Sequence, residues 1–437
     1  MHHHSFNLHR NALALTLLIV MLWVALPPAG HVAAATLPAS NEIVVTVPLG
    51  ERHTSNIPLT SLASAGTEVR LFEALPALPN KSFSGPQRVP LPEQSEKIDP
   101  QLLLQSKSSA TGALDFIVYL ADQADLSAAY QISDWNARGA YVYTTLQQHA
   151  EQSQQALRAQ ISARGLAYEP FWIVNAIAVR GALQDAQALA AAADVALVRA
   201  NYSASVPQSA ISTSAADDCS PDAPGNPTCW GIRTIRADRV WADFGVAGQG
   251  ITVANIDTGV MFQHPALVQQ YRGNLGNNRY NHNYNWFDPQ SLQRKPGDDN
   301  GHGTHTMGTM VGGSDGTGNR PAVGVAPAAR WIAAQGCKFT FCVEKDLIMA
   351  AQWMLAPTDL SNSNPRPDLR PMIVNNSWAG DGGNRWYSGY TAAWRAAGIF
   401  PVFAAGNAGG GRTQVCGSVG SPGDYLDVGA GGATGRH

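Results

Sequence analysis

The sequence is poor in charge, in cysteine and in long apolar runs. Only 14% of its 437 residues are charged, and the formal net charge is −3. The lack of a lysine and arginine excess argues against nucleic acid or an anionic membrane surface as a partner. The five cysteines include no Cys-x-x-Cys pair, which argues against zinc binding. An apolar content of 45% argues against disorder throughout, and the length allows two or three domains.

The N-terminal apolar run Ala12–Leu26 is shorter than the about 18 residues expected of a membrane span. Arg10 precedes the run, Pro27 ends it, and Ala33–Ala35 offers a small-residue cleavage site. This order predicts that residues 1–35 are a signal peptide. The protein is then secreted and extracellular, with no membrane attachment after cleavage. An uncleaved membrane anchor is the competing interpretation.

Two segments lack a sustained hydrophobic period. Residues 36–110 are rich in proline, serine, leucine and alanine and contain one strand-like run, Glu42–Val47; we interpret them as an N-terminal extension or linker. Residues 207–232 are rich in proline, serine, aspartate and glycine. That composition is typical of a linker, here one suited to being cut during maturation.

Residues 111–206 carry an organised pattern. The predicted elements are strand Asp115–Leu120, helix Ala140–Arg164, strand Ala167–Val179, helix Ala182–Ala193 and strand Val195–Ala200. This order predicts a small antiparallel sheet backed by two helices, an α+β unit of the ferredoxin-like kind.

Residues 233–437 alternate strands with helices. The predicted elements are helix Arg236–Phe244, strand Ile251–Ile256, a helix that begins at His302, strand Ala329–Gln335, helix Val343–Leu355, strand Pro371–Asn376, helix Tyr387–Ala397 and strand Ile399–Ala405. Such alternation predicts an α/β fold in which a parallel sheet has helices on both faces.

Three polar residues stand where such a sheet places its chemistry. Asp257 and Asn407 each follow a predicted strand, at the carboxyl end where α/β folds bind ligands. His302 is flanked by glycines, so a substrate backbone can approach its ring. For the histidine motif alone, an ordinary glycine-rich loop or a metal site formed by His302 and His305 is an alternative.

These motifs, in this order, resemble those of the subtilisin-like serine proteases, the subtilases. The resemblance covers residues 233–437, and residues 111–206 resemble the inhibitory propeptide of that family. The string Asn-Asn-Ser-Trp at 375–378 is most similar to the bacillopeptidase F branch. In such a precursor, the tail Asn201–Gln208 would fill the cleft of the catalytic domain.

The resemblance implies that Asp257 is the acid of the catalytic triad, His302 its general base and Asn407 the side-chain donor of the oxyanion hole. A histidine of near-neutral pKa can take the proton of a serine hydroxyl and return it to the leaving amine. A buried carboxylate fixes the imidazole tautomer. An amide donor aimed at the oxyanion contributes about 3 to 4 kcal/mol in subtilisin itself.

The resemblance also implies six substrate-binding residues: Ser377, Trp378, Ala379, Ala404, Gly406 and Gly420. The first three resemble the edge segment that pairs with substrate backbone, with Trp378 lining a subsite. The family usually has glycine where Ala379 stands, which predicts a narrower subsite. The last three resemble the walls and floor of the primary pocket, and their small size predicts a hydrophobic or aromatic preference.

One catalytic group is missing. The nucleophile of the family lies in a Gly-Thr-Ser-x-Ala-x-Pro-like turn, and no such string occurs in the sequence. Ser418 and Ser421, the serines that follow Asn407, lie in a segment that resembles the specificity pocket instead. We therefore expect a chain truncated before its nucleophile and inactive alone.

The overall expectation is a secreted serine endopeptidase precursor that hydrolyses protein or peptide substrates by a Ser-His-Asp acyl-enzyme mechanism. Its own propeptide is the expected intramolecular inhibitor. The alternative is a non-catalytic peptide-binding or inhibitory protein, in which a propeptide module is joined to a degenerate protease shell. A carbohydrate-binding protein, suggested only by the 11 tryptophans, is a weaker alternative.

No cofactor is expected for catalysis. Asp298 and Asp299 can bind a structural calcium ion, favour a basic substrate residue or be solvated, and Asn274–Asn285 is similarly open. Among the cysteines, the spacings permit disulfides between Cys219 and Cys229 and between Cys337 and Cys342, which leaves Cys416 over.

Overall fold

The computed structural model describes residues 88–92, 96–206, 229–290, 293–313, 322–408 and 417–431. The predicted signal peptide and the run Glu42–Val47 lie outside these residues. Within the described ranges, no helix has both the length and the apolar character needed to cross a membrane.

The first structured unit contains helix α1 (Pro100–Ser108), strand β1 (Leu114–Leu120), helices α2 (Trp135–Ser153) and α3 (Gln155–Ala163), strands β2 (Ala167–Phe171) and β3 (Ala176–Gly181), helix α4 (Leu183–Ala190) and strand β4 (Val195–Ala200). The strands form a sheet in the order β2-β3-β1-β4, and all neighbours are antiparallel. This is the strand order of a ferredoxin-like unit, as predicted.

Three details of this unit differ from the prediction. The run 167–179 is a hairpin of two strands, because a turn at 172–175 is fixed by the buried amides of Gln123 and Gln154, which bond to Asn175. The predicted long helix starts earlier and is interrupted at Gln154, whose side chain points into that turn. The boundary predicted at residue 111 is too late, since α1 packs on the sheet through the buried Leu102.

The second unit contains helices α5 (Trp230–Thr234) and α6 (Ala237–Phe244), strands β6 (Thr252–Ile256) and β7 (Trp286–Phe287), helix α7 (His302–Val311), strands β8 (Arg330–Ala334) and β9 (Phe341–Val343), helix α8 (Glu344–Leu355), strand β10 (Ile373–Asn376), helix α9 (Ser388–Ala396), and strands β11 (Phe400–Ala404) and β12 (Gly429–Gly431). A short strand between the two units, β5, spans Ser203–Ser205. Because α5 begins at Trp230, the linker predicted for 207–232 is too long at its C-terminal end.

The large sheet has the strand order β12-β11-β10-β6-β8-β7, and all its neighbouring strands are parallel. The α/β prediction is therefore confirmed. Since β11, β10 and β6 are adjacent, the segments that follow them lie at the same edge of the sheet. Asp257, Ser377 and Asn407 follow these strands, and this edge carries the candidate site.

The two units share one apolar core cluster. Ile117 and Phe171 of the first unit pack in the same cluster as Trp353, Tyr390 and Trp394 from α8 and α9 of the second. Burial of aromatic side chains dominates the energetics of such contacts. The small antiparallel sheet is thus packed on the helices of the α/β unit.

Candidate active site

The centre of the site is a carboxylate–imidazole pair. The Nδ1 of His302 lies 2.7 Å from the Oδ1 of Asp257. Asp257 is completely buried, whereas 10% of the His302 side chain remains exposed. Because the carboxylate can only accept, Nδ1 carries the hydrogen and Nε2 is left for a reacting group. This arrangement can perform general acid–base catalysis.

The Asp257 carboxylate is held by three donors. Besides His302, its oxygens accept hydrogen bonds from the backbone N–H of Thr258 at 2.7 Å and from the Thr306 hydroxyl at 3.2 Å. Thr306 lies one helical turn after His302 and therefore on the same face of α7. Asn255, two residues before Asp257 on β6, donates to the Gly303 carbonyl at 3.0 Å and so joins the strand to the helix.

Glycine is required at position 303 by the close approach of α7 to the segment after β6. A Cβ there would lie 2.1 Å from the carbonyl oxygen of Gly259 and 3.1 Å from the Cβ of Asp257. The first distance is far below van der Waals contact. Any side chain at 303 would therefore move the helix, and His302 with it, away from Asp257.

Asp298 fixes the loop that leads into α7. Its carboxylate accepts five hydrogen bonds, from the Thr258 hydroxyl, the backbone N–H groups of Asn300 and Gly301, and both the backbone N–H and the hydroxyl of Thr304. Three of these donors are backbone groups at or near the N-terminus of α7, where an acidic side chain is favourable. Asp298 thus has a structural role, while the neighbouring Asp299 is exposed.

Two opposing effects set the pKa of His302. Burial lowers it, but the charge of Asp257, the hydrogen bond to Asp257 and the charge of Asp298 raise it, and the pKa lies above its ordinary value. Opposite charges within hydrogen-bonding distance favour the imidazolium. The pair therefore stabilises the protonated form of the His302 imidazole.

Asn407 lies three residues after the end of β11 and is exposed. Near it, Gly406 adopts a φ of +88°, and the N–H of Gly420 donates to the carbonyl of Ala405 at 2.9 Å. A Cβ at position 420 would lie 2.9 Å from the Cβ of Ala379. The structure therefore brings Gly406, Gly420 and Ala379 together at the edge that carries Asp257, and Ala404 is the last residue of β11.

The expectation that Trp378 lines a subsite is wrong for its side chain. The indole is completely buried, donates to the carbonyl of Ile256 at 3.0 Å and packs against Tyr387 and Phe403. Its neighbour Ser377 is also buried, and its hydroxyl accepts a hydrogen bond from Asn375. A tryptophan that follows a buried strand is here a core residue, so only the backbone at 378 can face a ligand.

Strand β5 lies between β9 and Ala379. It pairs antiparallel with β9, with Ala204 opposite Cys342. On its other side, Ser205 forms an antiparallel bridge with Ala379, with 3.5 Å between the Ser205 nitrogen and the Ala379 oxygen. Ala204 and Val206 are buried, whereas Ser203 and Ser205 are exposed. The chain thus places its own residues 203–206 between two edge segments, as an added strand.

The disulfide that the spacing of Cys337 and Cys342 permits is present in the structure. It closes the short hairpin that leads into β9, in which the N–H and carbonyl of Lys338 pair with those of Phe341. Cys229 is disulfide-bonded as well, while Cys219 and Cys416 lie outside the described residues.

Within the residues that the structure describes, no group of three or more His, Cys, Asp and Glu side chains is arranged to hold a metal ion. His305 is partly buried on α7. In the segment Asn274–Asn285, Asn274 and Asn285 bond to neighbouring protein groups.

Sequence reasoning missed the supporting residues Asn255, Thr258 and Thr306, and it named Asp298 without predicting that its carboxylate fixes the loop before α7. Asn255 and Thr306 were detectable in principle, because the strand period of two and the helix spacing of four put them on the faces of Asp257 and His302. The hydrogen bonds of Asp298 depend on the conformation of the loop before α7, which no local sequence pattern predicts.

Residues 248–435 match the family model described as the Subtilase family. Bacillopeptidase F of Bacillus subtilis is 44% identical over 209 residues, which are 47% of this chain and 14% of that protein. Subtilisin-like protease 9 of Arthroderma benhamiae is 30% identical over 190 residues, which are 42% of this chain and 40% of that protein. The chain therefore spans well under half the length of either relative.

Among solved structures, fervidolysin from Fervidobacterium pennivorans, a keratinolytic enzyme related to subtilisin, aligns with a TM-score of 0.43 and 16% identity. That alignment covers 68% of this chain and 40% of fervidolysin. Together, the family model, the identity to bacillopeptidase F and the buried Asp257–His302 pair give one conclusion. Residues 248–435 of this chain are similar to the subtilase family.

Proposed function

We propose that the chain is a secreted serine endopeptidase precursor that hydrolyses peptide bonds of protein substrates through an acyl-enzyme. The observation that carries the proposal is the 2.7 Å contact between His302 and the buried carboxylate of Asp257. In this role His302 Nε2 removes the proton from a serine hydroxyl and returns it to the leaving amine. Asn407 donates its amide to the oxyanion.

The nucleophile of this mechanism is a serine that this sequence does not contain in the family's motif. In subtilisin itself, loss of the serine lowers turnover by about 10⁶-fold. We therefore propose that the 437-residue chain has no hydrolytic activity alone. Catalysis by this mechanism requires a serine that this sequence does not supply in that motif.

We further propose that residues 96–206 inhibit the same protease as its propeptide. The position of β5 between β9 and Ala379 supports this role, because an added strand at that place competes with a substrate backbone. Burial of Ala204 and Val206 beside β9 supports it too. Secretion is the expected route, given the predicted signal peptide at residues 1–35.

The test is to read the coding DNA past His437 and to express the full product. If a Gly-Thr-Ser turn is present in that product, we expect it to hydrolyse an unfolded protein such as casein, and we expect His302→Ala to lower this activity by about 10³-fold or more. A genuine stop codon at that place, together with no hydrolysis, would leave the non-catalytic peptide-binding alternative.

A further inference from the structure

A buried ion pair joins the two units at a distance from the catalytic pair. The Nη1 of Arg199, on β4, lies 3.2 Å from the Oε1 of Glu344, the first residue of α8. The exposed fractions of the two side chains are 1% and 0%. A charged pair so fully removed from water is uncommon, because each ion loses its hydration.

Among the described residues, the donors to the Glu344 carboxylate come from the first unit and its tail. Its Oε1 accepts from the hydroxyl of Tyr119 at 2.6 Å as well as from Arg199, and its Oε2 accepts from the N–H of Tyr202 at 3.3 Å. The N–H of Glu344 in turn donates to the carbonyl of Tyr202 at 2.8 Å. Tyr202 directly precedes β5, so the buried charge is bonded to the strand that fills the cleft.

The guanidinium of Arg199 also fits an aromatic pocket. Its Cζ lies 4.7 Å from the ring centroid of Tyr202 and 5.5 Å from that of Trp386. A planar guanidinium stacks on aromatic faces and is less strongly hydrated than an ammonium group. The pocket is therefore suited to arginine rather than to lysine.

A buried ion pair adds little to the stability of a complex, but it can discriminate between a partner domain that supplies the arginine and one that does not. Burial raises the pKa of Glu344, which reflects the cost of removing this carboxylate from water. That cost is offset only when the domain that binds the α/β unit supplies an arginine at the position of Arg199. A domain without an arginine at this place would leave the carboxylate buried and unpaired, which is strongly unfavourable.

We propose that the Arg199–Glu344 pair is the recognition determinant by which the catalytic unit accepts its own inhibitory domain and rejects others. The partner is the 96–206 segment of this same chain, after the chain has been cut between the two units. This inference rests on the proposed inhibitory role of that segment. It differs from that role in naming charge matching at one buried position as the source of selectivity.

The experiment uses the full chain with a site for a sequence-specific protease introduced within residues 207–228. After cutting, the fraction of the two pieces that co-elute over a dilution series gives the dissociation constant. We expect Arg199→Met to raise this constant by about 100-fold or more, since it leaves a buried charge unpaired. Arg199→Lys should raise it as well, because lysine loses the stacking.

Two further variants make the test specific. Adding Glu344→Gln to Arg199→Met removes the orphaned charge while keeping one acceptor oxygen, which can serve Tyr119 or Tyr202 but not both. The double variant should recover at least about tenfold of the loss. The matched control is Glu169→Gln, which breaks the partly exposed 2.7 Å pair with Lys345 in the same interface. That change should raise the constant less than about threefold.

An unchanged dissociation constant in Arg199→Met, or no recovery in the double variant, would overturn the proposal. If the uncut Arg199→Met chain does not fold, circular dichroism of the uncut double variant decides: restored folding supports the pair, and continued failure contradicts it. Association is measured without hydrolysis. The association assay can therefore contradict the recognition role while the protease proposal stands, and the hydrolysis assay can contradict the protease proposal while the recognition role stands.

Discussion

His302 and Asp257 lie 2.7 Å apart although 45 positions separate them in the sequence. Two hydrogen bonds hold them there: Thr306 donates to the Asp257 carboxylate, and Asn255 donates to the backbone of α7. Gly303 permits the helix to lie this close to the segment after β6. The imidazole is consequently oriented before any substrate arrives. Under the proposed function, such preorganisation reduces the reorganisation needed during the reaction.

The titration of His302 tests this pair directly and needs no catalytic activity. Because Asp257 raises the pKa of His302, the imidazole should titrate above the ordinary value of about 6.5 in nuclear magnetic resonance spectra of the full chain. Asp257→Asn should lower that pKa. A His302→Gln variant assigns the resonance among the 12 histidines. An unchanged pKa in Asp257→Asn would contradict the electrostatic assignment.

The same pair makes stability depend on pH with a definite sign. A histidine whose pKa is raised by folding contributes stability that is fully present below its unfolded pKa and lost as pH rises through the folded pKa. The difference in free energy of unfolding between the wild type and Asp257→Asn should therefore shrink from about pH 6 towards pH 9. Urea denaturation across that range measures it. If this difference in free energy of unfolding grew with pH, folding would lower the pKa of His302 rather than raise it.

Removal of the Asp298 carboxylate should be costly. Asp298→Ala leaves five donors without their acceptor, and we expect the free energy of unfolding to fall by about 2 to 4 kcal/mol. Asp299→Ala is the matched control. Because the Asp299 side chain is exposed, its removal should change the free energy of unfolding by less than about 0.5 kcal/mol. Equal effects from both variants would indicate that the two carboxylates act together, as a shared ion site would require.

Gly303→Ala should destabilise the chain and separate His302 from Asp257. The new methyl would meet the Gly259 carbonyl at 2.1 Å, and relief of that contact should cost more than about 2 kcal/mol. Gly231→Ala is the control, since Gly231 lies in helix α5 with no atom within 4 Å of the new Cβ. There, alanine should be neutral or stabilising by up to about 1 kcal/mol. Thermal unfolding of both variants distinguishes a clash from a general effect of added methyl groups.

Opening the Cys337–Cys342 disulfide should loosen the edge strand that holds β5. The double serine variant loses a short loop constraint, for which we expect about 2 kcal/mol of stability. Hydrogen exchange should accelerate in residues 338–343 and, through the pairing of β9 with β5, in residues 203–206. Cys229→Ser removes a different disulfide and should leave those segments protected. Acceleration in both variants would show that the effect is not local.

Much of the α/β unit was predictable because its strands are short apolar runs bounded by glycines and its helices have an apolar face. The strand that delivers Asp257 was predicted as 251–256 and is Thr252–Ile256, and the helix at His302 begins where expected. These elements are specified locally, so one sequence is enough to locate them.

Long-range contacts account for what was missed. The turn at 172–175 depends on Gln123, which lies 52 positions away from its partner Asn175. Strands β5 and β9 have three residues each and exist only because they pair across more than a hundred positions. Trp378 was assigned to a subsite because residues 377–379 resemble the substrate-pairing edge segment of the subtilases, but its indole packs against Tyr387 and Phe403. No local pattern reports such packing.

The backbone pairing of β5 has a kinetic consequence. A cut within residues 207–228 leaves Ser203–Val206 bonded to β9 and to Ala379, so cleavage alone does not open the cleft. Under the proposed function, activity then appears after a lag set by dissociation of the inhibitory piece. A lag that is independent of protein concentration would identify dissociation as the slow step. A lag that shortens as protein concentration rises would mean that active molecules digest the inhibitory piece bound to other molecules.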